Sequence, residues 1–194
     1  MIEGVFLDII EEKYKKIIMK IKLRKQEISD ARRFYEILNN PNFIFFTACP
    51  ENVKAEEEFL KQNAAKREKN LAYNYSIIHN GKLIGGCGIK IDQHRPFKGE
   101  IGYFLDETYW GKGITTEAVK KLEKIGFEDL NLERIEILMN PKNTASERIA
   151  IKCGYKKEGL LKKVIRDGKS FADALIYAKL KQDYNQSLLR DRNN

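Results

Sequence analysis

Two glycines flank a lysine in Tyr109-Trp110-Gly111-Lys112-Gly113-Ile114-Thr115-Thr116-Glu117, and a helical apolar pattern follows at once. A glycine turn of this kind frees backbone N–H groups at a helix start, where the helix dipole favours negative charge. The chemistry on offer is the binding of an anion, with phosphate the natural class. A plain helix cap uses the same residues, and the pattern alone leaves both readings open. Two phosphate signatures are excluded. A Walker loop needs Ser or Thr after the lysine, where Gly113 stands. A dinucleotide fingerprint needs a small residue where Thr116 stands, and it would open the fold rather than fall late in it. The other reactive types offer less. Cys49, Cys87 and Cys153 are odd in number and widely spaced, which gives neither a disulfide framework nor a structural zinc spacing. His79 and His94 lack ligand spacing, so no metal site is expected.

The elements that must position this turn are legible from periodicity and punctuation. Residues 1–18 read as an N-terminal extension, in which Val5, Ile9, Tyr14, Ile17 and Ile18 allow an irregular amphipathic helix. Alternation from Met19 through Lys25 predicts a strand. Ser29-Asp30 caps a helix with Ala31, Phe34, Tyr35 and Leu38 on one face, ended by Asn39-Asn40-Pro41. One long polar helix is expected from Pro50 to Asn70. Strands at 72–79 and 82–91 flank Asn80-Gly81, a type I′ hairpin signal. Gly85, Gly86 and Gly88 announce a bulge or close backbone contacts. A third strand follows at 99–105. The helix after the glycine turn runs to about Glu128, with Ala118, Leu122 and Ile125 inward. A strand is expected at 134–140. Thr144-Ala145-Ser146-Glu147 reads as a capping box for a helix that Gly154 closes. Strands at 155–165 and 170–179 bracket the turn Asp167-Gly168. From Asp183 the chain is polar and expected to fray, so residues 185–194 read as a tail.

The order β-α-α-β-β-β-α-β-α-β-β gives one mixed, mostly antiparallel α/β sheet with flanking helices. The 194 residues suit one domain, placed at 19–184. Hydrophobic residues are 42% and charged residues 33%, enough for a core under a charged surface. No apolar run approaches the ~18 residues of a membrane span. The first residues lack a basic leader and a cleavage site, which points to the cytoplasm. The net charge of +8 attracts anions: nucleic acid, acidic protein tails or a polyphosphate cofactor. A soluble, lysine-biased surface accounts for it as well. No basic stripe interleaved with aromatics is visible, so neither a specific nucleic acid nor a membrane is expected as partner.

The run EIGYFLDETYWGKGITTEAV (100–119), followed by NPKNTASERIAIKCGY (140–155), resembles the GNAT family of acetyl-CoA-dependent N-acetyltransferases. Within it the chain is similar to the RimJ/RimL-like branch, which includes ribosomal-protein N-terminal acetyltransferases. IKLRKQEISDARRFYEIL and RDGKSFADALIYAKL fit the same branch. The family signature R/Q-x-x-G-x-G/A places Trp110 first, Gly113 at the middle glycine and Thr115 at the final small position.

The resemblance implies a GNAT-like acyl-CoA N-acyltransferase fold and acetyl-CoA as cosubstrate. Its pyrophosphate would rest on backbone N–H groups of Trp110, Gly111, Lys112, Gly113, Ile114, Thr115 and Thr116, with the Lys112 side chain nearby. The strand before the turn would splay from its neighbour, and the pantetheine arm would add along Tyr103 to Leu105. An N–H near Tyr103 would polarise the acyl carbonyl. Asn143 and Ser146 match the family's N-x-x-S. The tyrosine that serves many members as acid would fall at Ala150 and is missing, which leaves Ser146 as the hydroxyl of that turn. Glu100 is a candidate base, and a solvated strand-edge carboxylate on the other reading; Asp173 is a second such candidate. The expected activity is acetyl transfer to a primary amine, either a protein N-terminus or a small amine such as a polyamine or antibiotic. A non-catalytic acyl-CoA or nucleic-acid binder is the reading from another class. The acceptor would lie among loops at 40–70, 92–98 and 165–173, and the oligomeric state stays open.

Overall fold

A computed structural model describes residues 21–46, 49–167 and 170–192. The expected extension at 1–18, the first residues of the opening strand and Gly168 of the last hairpin turn lie outside them. Among these described residues seven strands form one sheet: β1 (Ile21–Lys25), β2 (Ala72–His79), β3 (Lys82–Ile91), β4 (Lys98–Leu105), β5 (Arg134–Met139), β6 (Lys156–Asp167) and β7 (Ser170–Leu180). Their spatial order is β1-β2-β3-β4-β5-β7-β6. Every pairing is antiparallel except β4 with β5. That mixed, mostly antiparallel sheet with flanking helices is the acyl-CoA N-acyltransferase topology expected from the sequence.

Among the described residues six α-helices flank the sheet: α1 (Ala31–Leu38), α2 (Val53–Lys61), α3 (Asn63–Glu68), α4 (Ile114–Lys124), α5 (Thr144–Lys152) and α6 (Lys181–Arg192). On one face Ile77, Ile89, Ile101 and Ile135 pack with Val119 and Leu122 of α4 in the main core. On the other, Ala31 and Phe34 of α1 and Leu60 of α2 pack with Leu83 and Phe104. Strand side chains alternate between faces, so residues 101, 103 and 105 of β4 turn toward α4 while Phe104 turns toward α1 and α2. Asn80 and Gly81 both have positive φ, 48° and 75°, as a type I′ turn requires. The glycines of β3 mark both a bulge near Ile84 and a close approach: a Cβ at Gly85 would collide with the Phe104 carbonyl oxygen.

Four local expectations change. The helix expected over 50–70 is two helices, broken at Gln62. Asn63 is drawn to the sheet there, donating to Gln26 Oε1 at 2.8 Å and accepting from Asn74 Nδ2 at 2.9 Å. Ahead of α1, residues Ile28–Asp30 form a 3₁₀ turn, and Asp30 turns inward to accept from the Glu27 N–H and the Ser76 hydroxyl. The cap of α5 is Asn143, whose Oδ1 accepts from the Ser146 N–H at 3.1 Å. Glu147 accepts instead from the Tyr177 hydroxyl, so no capping box forms with Thr144. The polar C-terminal stretch forms α6 rather than fraying. Tyr184 anchors it, stacked on Phe127 with centroids 5.0 Å apart and donating to Glu128 at 2.6 Å.

Candidate active site

The central parallel pair supplies the opening for the site. β4 and β5 pair only over Lys98–Glu100 with Arg134–Glu136, after which they part. Backbone polarity alternates along a strand. Phe97 O accepts from β5-side amides while the Asp106 N–H donates to Ile84 O on the β3 side. Odd residues of β4 therefore aim their N–H and C=O at β5, and at Tyr103 that direction opens into the gap. The splay expected for this strand is present, with the Tyr103 N–H facing it.

A cavity of about 330 Å³ borders the gap on the α4 and α5 side. Tyr103, Leu105, Trp110, Gly111, Thr115, Asn143 and Ser146 all line it, so residues chosen from three separate stretches converge. Gly111 and Gly113 have φ of 72° and 78°, and Gly113 is the N-cap of α4. The left-handed backbone there turns the chain sharply into the helix, and the first-turn N–H groups of α4 have no intrahelical acceptor. Not every predicted donor is free. The 3₁₀ turn Glu107–Tyr109 takes the Trp110 N–H to Glu107 O at 3.0 Å. Trp110 therefore enters the site through its indole, whose Nε1 donates to Leu105 O at 2.6 Å and occupies that strand-edge acceptor. Lys112 Nζ donates to Thr108 O at 2.8 Å. Ile114 points into the core, and Ile114, Thr116, Lys112 and Gly113 do not line the cavity.

A hydroxyl pair closes its inner end. Tyr103 OH and Ser146 Oγ lie 2.8 Å apart. Burial pushes the Tyr103 phenol up to about 12, against the lowering effect of the Ser146 hydrogen bond. A tyrosine hydroxyl thus enters from the strand, whereas position 150 of the helix holds a buried alanine. In the sequence, the expectation at Tyr103 concerns its N–H and not its hydroxyl. The signal for its side chain was the period-2 register of β4, which puts 103 on the face that α5 covers.

A second cavity, about 450 Å³, lies across the sheet under α1 and α2, and Phe46, Tyr103 and Phe104 line both. Glu100 is open to water at this cavity yet recessed between its walls. Burial raises its carboxyl above the usual range; Lys90, its cross-strand neighbour, works against that rise, and Glu136 adds to it. Residues 46, 49, 50, 55, 56 and 59 contribute to the lining, while 92–98 and 165–173 contribute to neither cavity among the described residues. Asp173 is accounted for structurally, bonded to Lys162 Nζ at 2.9 Å and to the Lys163 N–H at 3.0 Å. The sequence reading also missed the aromatic cover of both cavities. Phe43 packs 5.6 Å from Trp110, and Phe46 packs 5.4 Å from Phe104. No group of three or more His, Cys, Asp or Glu suited to a metal occurs among the described residues. No helix among them is long and apolar enough to cross a membrane.

Comparison with known proteins agrees with this geometry. Residues 20–156 match the family described as the acetyltransferase (GNAT) domain. The uncharacterized N-acetyltransferase p20 of Bacillus licheniformis is 32% identical over 170 residues, covering 85% of this chain and 95% of that protein. The microcin C7 self-immunity acetyltransferase MccE, solved in complex with acetyl-CoA and AMP, matches with a TM-score of 0.74 at 26% identity, over 83% of this chain and 92% of its own. The RimL ribosomal L7/L12 alpha-N-protein acetyltransferase, solved with coenzyme A, matches with a TM-score of 0.76 over 84% of this chain and 95% of its own. At 18% identity that likeness is one of fold. A glycine turn opening α4, a splayed central strand pair and a family match over most of the sheet lead to one conclusion: the chain belongs to the GNAT family of acetyltransferases.

Proposed function

We propose that the protein transfers an acetyl group from acetyl-CoA to a primary amine, as a member of the RimJ/RimL-like branch acting in the cytoplasm. The observation that carries this is the meeting of two cavities at Tyr103, on the strand whose edge the splay leaves open. The residues suit acetyl-CoA. A Cβ at Gly111 would meet no atom within 4 Å, so the turn has room for a bulky anion. Thr115, Asn143 and Trp110 would line the cosubstrate's path. Acetyl-CoA supplies an activated thioester. The free cysteines and the paired acidic and basic surface suit a cytoplasmic protein.

Each catalytic requirement has a residue on this chain. Glu100 takes a proton from the incoming ammonium, from the face that holds the larger cavity. The Tyr103 N–H donates toward the acyl oxygen across the gap. The Tyr103–Ser146 pair, on the opposite face, passes a proton to the leaving sulfur. A phenol at about 12 is a better acid than an aliphatic hydroxyl, so Tyr103 is the source and Ser146 the orienting partner. Thiol release from acetyl-CoA, measured with a panel of N-terminal peptides and small amines, tests the reading. Acetyl-CoA binding without thiol release on any amine would favour a non-catalytic acyl-CoA binder instead.

A further inference from the structure

The larger cavity holds a carboxylate that the transfer chemistry does not use. Glu56, in the first turn of α2, is only 7% exposed and lines the cavity wall. Among the described residues, no hydrogen-bond donor or cation lies within bonding distance of its carboxylate. Burial alone accounts for its raised carboxyl, with no cation near enough to offset it. The N-terminus of α2 favours an acid, but Asn52 already caps the helix, accepting from the Ala55 N–H at 2.9 Å. An acid serving the dipole needs no burial, and a buried carboxylate without a partner is costly. Two cations stand elsewhere about the cavity: Lys90 lines it opposite Glu100 in the strand register and interacts with that carboxylate, and Lys66 lies over the Phe59 ring at 4.1 Å. The rest of the lining joins apolar and aromatic walls, with Leu38, Phe46, Ala55 and Phe59, to the polar Gln26, Asn74, Lys90 and Glu100. A volume of about 450 Å³ suits a small molecule or the end of a chain.

We infer that Glu56 binds a second cationic group of the acceptor, so that the preferred acceptor is a dication: one amine is delivered to Glu100 while the other stays charged against Glu56. This rests on the acetyl-transfer reading for the role of the first amine. The apolar walls suit a methylene linker between the two charges, and the missing counter-charge of Glu56 is supplied by substrate rather than by protein.

Calorimetry without turnover tests the inference directly. The probes are 1,4-diaminobutane, the dipeptide amide alanyl-lysinamide and the singly charged butylamine, each titrated into the coenzyme A-saturated protein and its Glu56→Gln variant. Expected is tighter binding of at least one dication than of butylamine, by roughly ten- to a hundredfold, the range of a charge-assisted pair. In Glu56→Gln that ratio should collapse toward one, and the melting temperature should not fall, because an unpartnered buried charge has gone. The tighter of the two dications distinguishes a free polyamine from a chain end. Equal binding of all three probes, or a dication preference that survives in Glu56→Gln, would overturn the inference. Thiol release by the wild type with butylamine tests acetyl transfer separately, since that amine has no second charge.

Discussion

The Tyr103 hydroxyl lies 2.8 Å from Ser146 Oγ, so substitutions at the two positions report on one unit. Ser146→Ala should reduce turnover by roughly ten- to a thousandfold, with acetyl-CoA affinity changed much less. Tyr103→Phe should cost as much, and the double variant little more than either single one, because the second removal breaks a relay already broken. Full turnover in Tyr103→Phe, on a substrate whose chemistry is rate-limiting, would remove the phenol from the mechanism. Glu100 gives a pH signature. It acts as base only when ionised, and burial raises its carboxyl, so activity should fall as pH drops through a value above the ordinary ~4.3 of glutamate. Glu100→Gln should lower the rate by about 10²–10⁴ and flatten that limb. At Gly113 the backbone has φ of 78°, which a β-branched residue resists. Gly113→Val should weaken acetyl-CoA binding in calorimetry; unchanged affinity with an intact fold would move the anion site elsewhere.

Elements with strong local grammar are legible in the sequence. Asn80-Gly81 placed the first hairpin, and the glycine turn placed the start of α4, because positive φ leaves few other residues to choose from. Elements held by distant partners were not. Gln62 interrupts the α2–α3 region because Asn63 is tied to Gln26 and Asn74, a contact across the fold that local propensity cannot show. The helix α6 reads as a frayed tail because its anchors are sparse in a polar stretch: Tyr184 is buried and Leu188 packs half-buried on the same core. Glu56 was invisible for a related reason: its helix reads as polar, and only the packing of α2 over the sheet buries it. Where α4 and β7 meet, Lys179 donates to Glu123 Oε2 at 2.9 Å and to Cys153 O at 2.8 Å, with both side chains buried. Lys179→Met should cost about 3–5 kcal/mol in urea denaturation, because it strands a buried carboxylate. Adding Glu123→Leu should recover most of that loss; no recovery would mean that packing, not charge, sets the cost.

For the whole molecule, the net charge of +8 surrounds a larger cavity in which Glu56 and Glu100 both face inward. The bulk charge is suited to drawing in a polyanionic cosubstrate, while the acceptor side carries local acids of the opposite sign. Those two requirements meet at the centre of the sheet, where only three residue pairs join its halves. The Tyr103 amide has no strand partner there, so in the free protein it should be among the fastest-exchanging amides of any interior strand position. Its neighbours Gly102 and Phe104, which face β3, should exchange slowly. Saturation with coenzyme A should slow deuterium uptake at Tyr103 while leaving those two nearly unchanged. The unpaired edge thus becomes a built-in reporter: one amide, read by magnetic resonance, would register cosubstrate occupancy without any turnover.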